Sequence, residues 1–174
     1  MKHFTILIVA LLVISAPLAA QTSVDFDAMM REYMLVDIQT IEGGEDIIVE
    51  LKYSTTDNFV GKDMYCELEK AYFTPDFARK VIHAQRILRQ RNSQLTLLIY
   101  DAARPISVQR YMRKLVEGTM FEDFVADGTK GGRHNYGVAV DLTIATNQGE
   151  PLDMGAGFDD FTDAAAVKGT CDTN

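Results

Sequence analysis

Between Gly131 and Ala145 the chain reads Gly-Gly-Arg-His-Asn-Tyr-Gly-Val-Ala-Val-Asp-Leu-Thr-Ile-Ala, and two of its side chains can do chemistry. His134 offers an imidazole nitrogen. Asp141 offers a carboxylate inside an otherwise apolar run. From Val138 onward Val138, Val140, Leu142 and Ile144 share one face, and Ala139, Asp141 and Thr143 share the other. Period-2 alternation with β-branched residues predicts a strand. Gly137 permits a tight turn just before it, so His134 can fold back beside Asp141. A nitrogen and oxygen pair of this kind suits a borderline metal such as zinc. A structural His–Asp hydrogen bond near a hairpin accounts for the same two residues, because two ligands do not make a metal site.

A third reactive group is Arg104. The apolar run Leu95 to Tyr100 predicts a buried strand, which ends in Asp101-Ala102-Ala103-Arg104-Pro105. Pro105 stops the strand and biases Arg104 to an extended backbone. A guanidinium at the exit of a core strand can grip a carboxylate or a developing oxyanion. A salt bridge from Arg104 to Asp101 is the alternative role for the same residue.

The elements that must position these groups are legible in the spacing. Phe26, Met29, Met30 and Tyr33 predict a short helix over 25–33. Ile47, Val49, Leu51 and Tyr53 predict a strand that follows Gly43-Gly44. Thr74-Pro75-Asp76 is a helix start: a capping hydroxyl, proline in the first turn and an acid beside it. That helix should run to about Arg91, burying Phe77, Ala78, Val81, Ile82, Ala84 and Leu88. Arg79, Lys80, Arg86, Arg89 and Arg91 then form a solvated outer face, with His83 a surface or core-edge residue. Ser107 is a cap for the next helix, whose buried side carries Val108, Tyr111, Met112 and Leu115. Glu117-Gly118 ends it, and a helical turn is expected around Phe121 to Val125.

Composition bounds the function. The chain has 174 residues, 47% hydrophobic and 24% charged, which suits one globular domain. A net charge of −8 argues against a nucleic-acid partner. Lys2, the apolar run Phe4 to Ile14 and Leu18-Ala19-Ala20 read as a secretory signal over residues 1–20. The expectation is a single exported domain over 21–174, in the periplasm or cell envelope, with no stable membrane association after cleavage. Cys66 and Cys171 form an even pair that an oxidising compartment permits to join.

Taken together and in order, three segments resemble the bacterial D-alanyl-D-alanine dipeptidases, zinc enzymes related to the D,D-carboxypeptidases of cell-wall metabolism. They are Leu51 to Gly61, Tyr100 to Pro105, and Arg133 to Thr143, the last followed by Leu152-Asp153-Met154-Gly155 and Phe158-Asp159. The likeness extends from about residue 35 to 165. It implies an α+β fold: a small, mainly antiparallel sheet with helices packed against it and a metal cleft on the sheet. It implies one Zn2+ per complete protein, with His134 and Asp141 as two of its ligands. Arg104 would match the arginine that stabilises the tetrahedral transition state, and the substrate would be a small D,D-dipeptide. The Asp57-Asn58-Phe59 loop is a candidate for the pocket wall.

Two departures from the family pattern stand out. Gly132 occupies the position, two residues before the histidine, where the family usually has serine. The family's third zinc ligand, a histidine, and its general-base glutamate lie in a Glu-x-x-His element near the C-terminus, and none is found before Asn174. His83, Glu122 and Glu150 do not match it by position. The expectation is a C-terminally truncated member with weak zinc affinity and little or no peptidase activity. The alternatives are a non-catalytic module that binds D-Ala-D-Ala or peptidoglycan peptides, and a related D,D- or L,D-carboxypeptidase.

Overall fold

The computed structural model describes residues 24–161 and residue 165. The signal over 1–20 and Cys171, and with it the expected Cys66–Cys171 pairing, lie outside the described residues.

The described chain is α+β, with three α-helices against two small sheets. Helix α1 (Phe26–Glu32) starts where the Asp25 carboxylate accepts the Ala28 N–H at 2.8 Å, and it buries Phe26 and Met30. Strands β1 (Val36–Asp37) and β3 (Tyr72–Phe73) pair antiparallel. In the larger sheet β4 (Leu95–Asp101) is central. It pairs antiparallel with β5 (Asp141–Thr146) and parallel with β2 (Ile48–Val49). The sheets are thus mainly antiparallel, as expected. The one parallel pair needs a crossover, which here contains β3 and α2 (Pro75–Arg91).

Four local expectations shift. The strand anticipated over 47–53 survives only at Ile48–Val49, and Lys52–Ser54 closes a helical turn. There the Tyr53 carbonyl accepts the N–H groups of Met64 and Tyr65 at 2.7 and 3.1 Å instead of joining a ladder. The inward face is kept, with Ile47, Leu51 and Tyr53 buried. In α2 the Thr74 hydroxyl caps the Phe77 N–H, and Ala78, Val81 and Ile82 are buried as expected. Ala84, however, is exposed and Gln85 is inside. Its amide donates to Thr96 Oγ1 and accepts the Leu97 N–H, both at 2.8 Å, so a polar residue ties α2 to β4 without an unpaired group.

Helix α3 (Ile106–Val116) begins behind Pro105, so Ser107 sits inside the first turn instead of capping it. Its buried stripe is Val108, Gln109, Met112 and Val116, and Tyr111 is exposed. The helix is rolled toward Gln109 because that amide finds two inward partners. Finally, β5 begins at Asp141 and not at Val138, whose N–H is taken by the Arg133 carbonyl at 3.1 Å. Val138 and Leu142 on the apolar face remain partly exposed, whereas Ala145 on the small-residue face is fully buried.

Candidate active site

The site lies where β4 ends beside the start of β5. The register brings Asp101 opposite Asp141 after an irregularity between Ile99 and Asp101. Side chains directly opposite in an antiparallel pair emerge on the same face, and a bulge re-aims them. Between the two carboxylates stands His134, on the helical turn His134–Tyr136. That turn is locked to the β4 exit: Arg104 N–H donates to the His134 carbonyl at 3.0 Å, and the Asn135 side chain donates to the Arg104 carbonyl at 2.9 Å. Gly137 closes the turn in the left-handed region (φ 66°), as its position before the strand predicts. A Cβ there would come within 2.9 Å of a Leu35 methyl carbon and 3.2 Å of the Thr74 nitrogen, so only glycine fits.

The imidazole tautomer follows from its partners. Nδ1 lies 2.8 Å from the Ala102 carbonyl, which can only accept, so the neutral ring carries its proton there. Nε2 is left to face Asp141 Oδ1 at 3.5 Å. Burial alone would lower the His134 pKa, but the carboxylates of Asp141 and Asp101 outweigh it and raise it above the ordinary value.

Asp101, His134 and Asp141 form a cluster with metal-ligand atoms within 4.8 Å of one another. The three are not equivalent. Asp101 is wholly buried, and its oxygens are engaged: Oδ2 by Arg104 Nη2 at 2.6 Å and Nε at 3.2 Å, Oδ1 by the Tyr65 hydroxyl at 2.5 Å. It also lies 3.3 Å from Nδ1, on the opposite side of the ring from Nε2. Asp101 therefore orients, while His134 Nε2 and the half-exposed Asp141 offer lone pairs to a common point. Ligand atoms about 2.0–2.2 Å from a tetrahedral zinc stand roughly 3.3–3.6 Å apart, so the pair fits that ion. The carbonyl on Nδ1–H is the support a ligating histidine needs to hold its ring orientation.

Arg104 is gripped on three sides. Asp101 takes two of its N–H groups, Gln109 Oε1 accepts from Nη1 at 2.9 Å, and the Tyr53 ring centre lies 4.9 Å from Cζ. Burial works against the charge, but Asp101 more than restores it, and the guanidinium stays protonated. The salt bridge and the oxyanion role, alternatives in the sequence, are thus compatible: one edge of the fork is spent on Asp101. The other edge of the fork, Nη1, reaches Gln109 and Met112 Sδ.

Arg104, His134 and Asp141 line one cavity of about 280 Å³. Phe59, Phe124 and Phe161 form an aromatic wall on it, with ring centroids 5.3 Å apart for Phe59–Phe161 and 4.6 Å for Phe124–Phe161. Of the anticipated Asp57-Asn58-Phe59 loop, only Phe59 reaches this wall. Asp57 pairs with Lys52, and the Asn58 amide holds the loop backbone. Gly132 lines the cavity where a serine was anticipated. His83 is exposed on α2, and Glu122 is paired to Arg113, which removes both from the site.

Three residues of the site escaped sequence reasoning. Tyr65 and Gln109 carry no motif signal. Asp159 stands in the Phe158-Asp159 pair but without an assigned role. Its carboxylate accepts the Tyr53 hydroxyl and the Phe59 N–H, at 3.1 and 3.2 Å, and lines the same cavity. Burial raises its pKa, with Asp141 adding to the effect.

One small cavity thus joins a candidate metal-ligand pair to a fixed guanidinium. The family model described as D-ala-D-ala dipeptidase (peptidase M15) matches residues 31–171, and the chain belongs to that family. It is 39% identical over 131 residues to the D-alanyl-D-alanine dipeptidase of Escherichia coli (strain K12), an alignment that covers 73% of this chain. The chain spans 62% of the length of that relative.

Proposed function

We propose that this chain carries the zinc and arginine part of an exported D,D-dipeptidase that hydrolyses D-Ala-D-Ala in the cell envelope. The observation that supports it most is His134 Nε2 facing Asp141 at 3.5 Å in the cavity that also holds Arg104. His134 and Asp141 would hold zinc, which polarises a scissile carbonyl and acidifies water when bound. Arg104, anchored by Asp101 and Gln109 on the cavity lining, sets its positive charge against the negative charge that develops on the carbonyl oxygen. Asp159 is the acid on the wall available to a substrate ammonium group.

One observation favours a second reading, binding without turnover. Among the described residues the Nε2 side of the imidazole meets one other ligand, Asp141. Two protein ligands give weak zinc affinity, since catalytic zinc sites use three. The deciding experiment measures zinc binding by calorimetry and D-Ala-D-Ala hydrolysis at saturating zinc. Zinc-dependent release of D-alanine, abolished by His134→Ala, supports the dipeptidase. Dipeptide binding with no release would replace it with the binding module.

A further inference from the structure

The Gln109 amide joins the two halves of the cavity. It lies on α3 with 5% of its surface exposed, and both ends are used. Oε1 accepts from Arg104 Nη1 at 2.9 Å, and Nε2 donates to the Ala126 carbonyl at 2.9 Å. An amide in this place has one permitted orientation: a guanidinium can only donate and a carbonyl can only accept. Ala126 follows the turn Glu122–Phe124 that brings Phe124 to the aromatic wall. Neighbouring α3 side chains hold the same loop. Arg113 donates to the Val125 carbonyl at 2.8 Å and to Glu122 Oε1 at 2.6 Å, and Arg110 donates to the Gly128 carbonyl at 3.1 Å. Of these three, Gln109 also bonds Arg104.

We infer that Gln109 is a positioning residue that couples the orientation of the Arg104 guanidinium to the placement of the Phe124–Ala126 wall. Arg104 already spends one edge on Asp101, so rotation of the Nη1 group is limited by Gln109 and by Met112 Sδ, 3.5 Å away. Sulfur is a weak acceptor, so Gln109 holds that end. A wall displaced by the wrong occupant pulls on the Ala126 carbonyl, turns the amide and releases Nη1. A correct occupant leaves the arginine locked. The site thereby senses side-chain size on one face and readies its cation on the other. That consequence rests on the dipeptidase reading; the linkage itself does not.

Two variants separate the two ends. Gln109→Met removes both bonds at nearly constant volume. Gln109→Glu keeps an acceptor for Arg104 but turns an oxygen toward the Ala126 carbonyl. In the full-length protein, 15N NMR of the guanidinium follows Nη1, and amide hydrogen exchange follows residues 122–126. With Met, the Nη1 signals broaden and exchange over 122–126 quickens about tenfold, as expected for a lost buried hydrogen bond. With Glu, exchange quickens alike while the Nη1 signals stay sharp. At saturating zinc, Met lowers kcat for D-Ala-D-Ala, and Glu, with the wall loosened, raises KM. Unchanged exchange in either variant, or Nη1 signals altered equally by both, overturns the coupling. A wild type with no D-Ala-D-Ala turnover would sink the dipeptidase reading alone, because the NMR and exchange measurements need none.

Discussion

Arg104 shows why a site residue cannot be judged by charge alone. Its fork is divided among Asp101, Gln109 and the Tyr53 ring, a geometry that a lysine ammonium cannot reproduce. Arg104→Lys keeps a cation beside the buried Asp101, so the fold survives. D-Ala-D-Ala hydrolysis is nevertheless expected to drop about 10²–10³-fold, the range for removal of one oxyanion donor. Near-wild-type kcat in that variant would show that position matters less than charge. Gly132 gives the opposite expectation. A Cβ there would meet only the Asn135 Oδ1, at an ordinary 3.7 Å. Gly132→Ser should therefore change stability by no more than about 0.5 kcal/mol in urea melts, while placing a hydroxyl on the cavity and lowering KM for the dipeptide.

At the scale of elements, the helices and strands act as mounts. α2 is fastened to β4 by Gln85 and Thr96, and β4 carries Asp101 at its end. α1 is fastened through Asp27, which accepts from the Tyr72 hydroxyl at 2.6 Å and from Lys70 at 3.0 Å, and also pairs with Arg31. Burial alone would raise the Asp27 pKa, but these hydrogen bonds outweigh it and hold the carboxyl down to about 2. Because the folded state lowers this pKa, its contribution is complete above the ordinary 3.8 and disappears as pH falls through about 2. Asp27 is part-buried at the surface, where solvent still screens its charge, so Asp27→Asn should cost about 1 kcal/mol at neutral pH. The difference from wild type should close as the melts are repeated at successively lower pH. A gap that stayed constant down to about pH 2 would assign the effect to packing instead of charge.

For the molecule as a whole, metal and fold are linked. Asp141 and His134 come from different elements, separated by the turn at Gly137, and zinc would tie the start of β5 to that turn. A ligand that binds only the folded state raises stability by about 2.7 kcal/mol at a hundred times its Kd. Zinc should therefore raise Tm in a concentration-dependent way, EDTA should reverse the rise, and His134→Ala should abolish it. Zinc that leaves Tm unchanged over the millimolar range would count against the pair as ligands. Among the described residues no helix is long and apolar enough to cross a membrane.

Local chemistry was readable without coordinates wherever one residue's own backbone or side chain decides the outcome. Thr74-Pro75-Asp76 starts α2, Gly137 makes the left-handed turn, and the family motifs place His134, Asp141 and Arg104 in one site; β4, by contrast, already ends at Asp101, and Pro105 caps α3. What needed the tertiary structure was every choice in which a polar group selects among distant partners. Gln85 and Gln109 look like surface residues by type, yet both are buried because Thr96, Leu97, Arg104 and Ala126 satisfy them. The division of labour between Asp101 and Asp141 was equally hidden. Two acids opposite each other in one ladder differ because Tyr65 and Arg104 occupy the oxygens of the first, while the second keeps its lone pairs exposed to the cavity. Periodicity reports which face a residue occupies; only packed neighbours decide whether its lone pairs remain available.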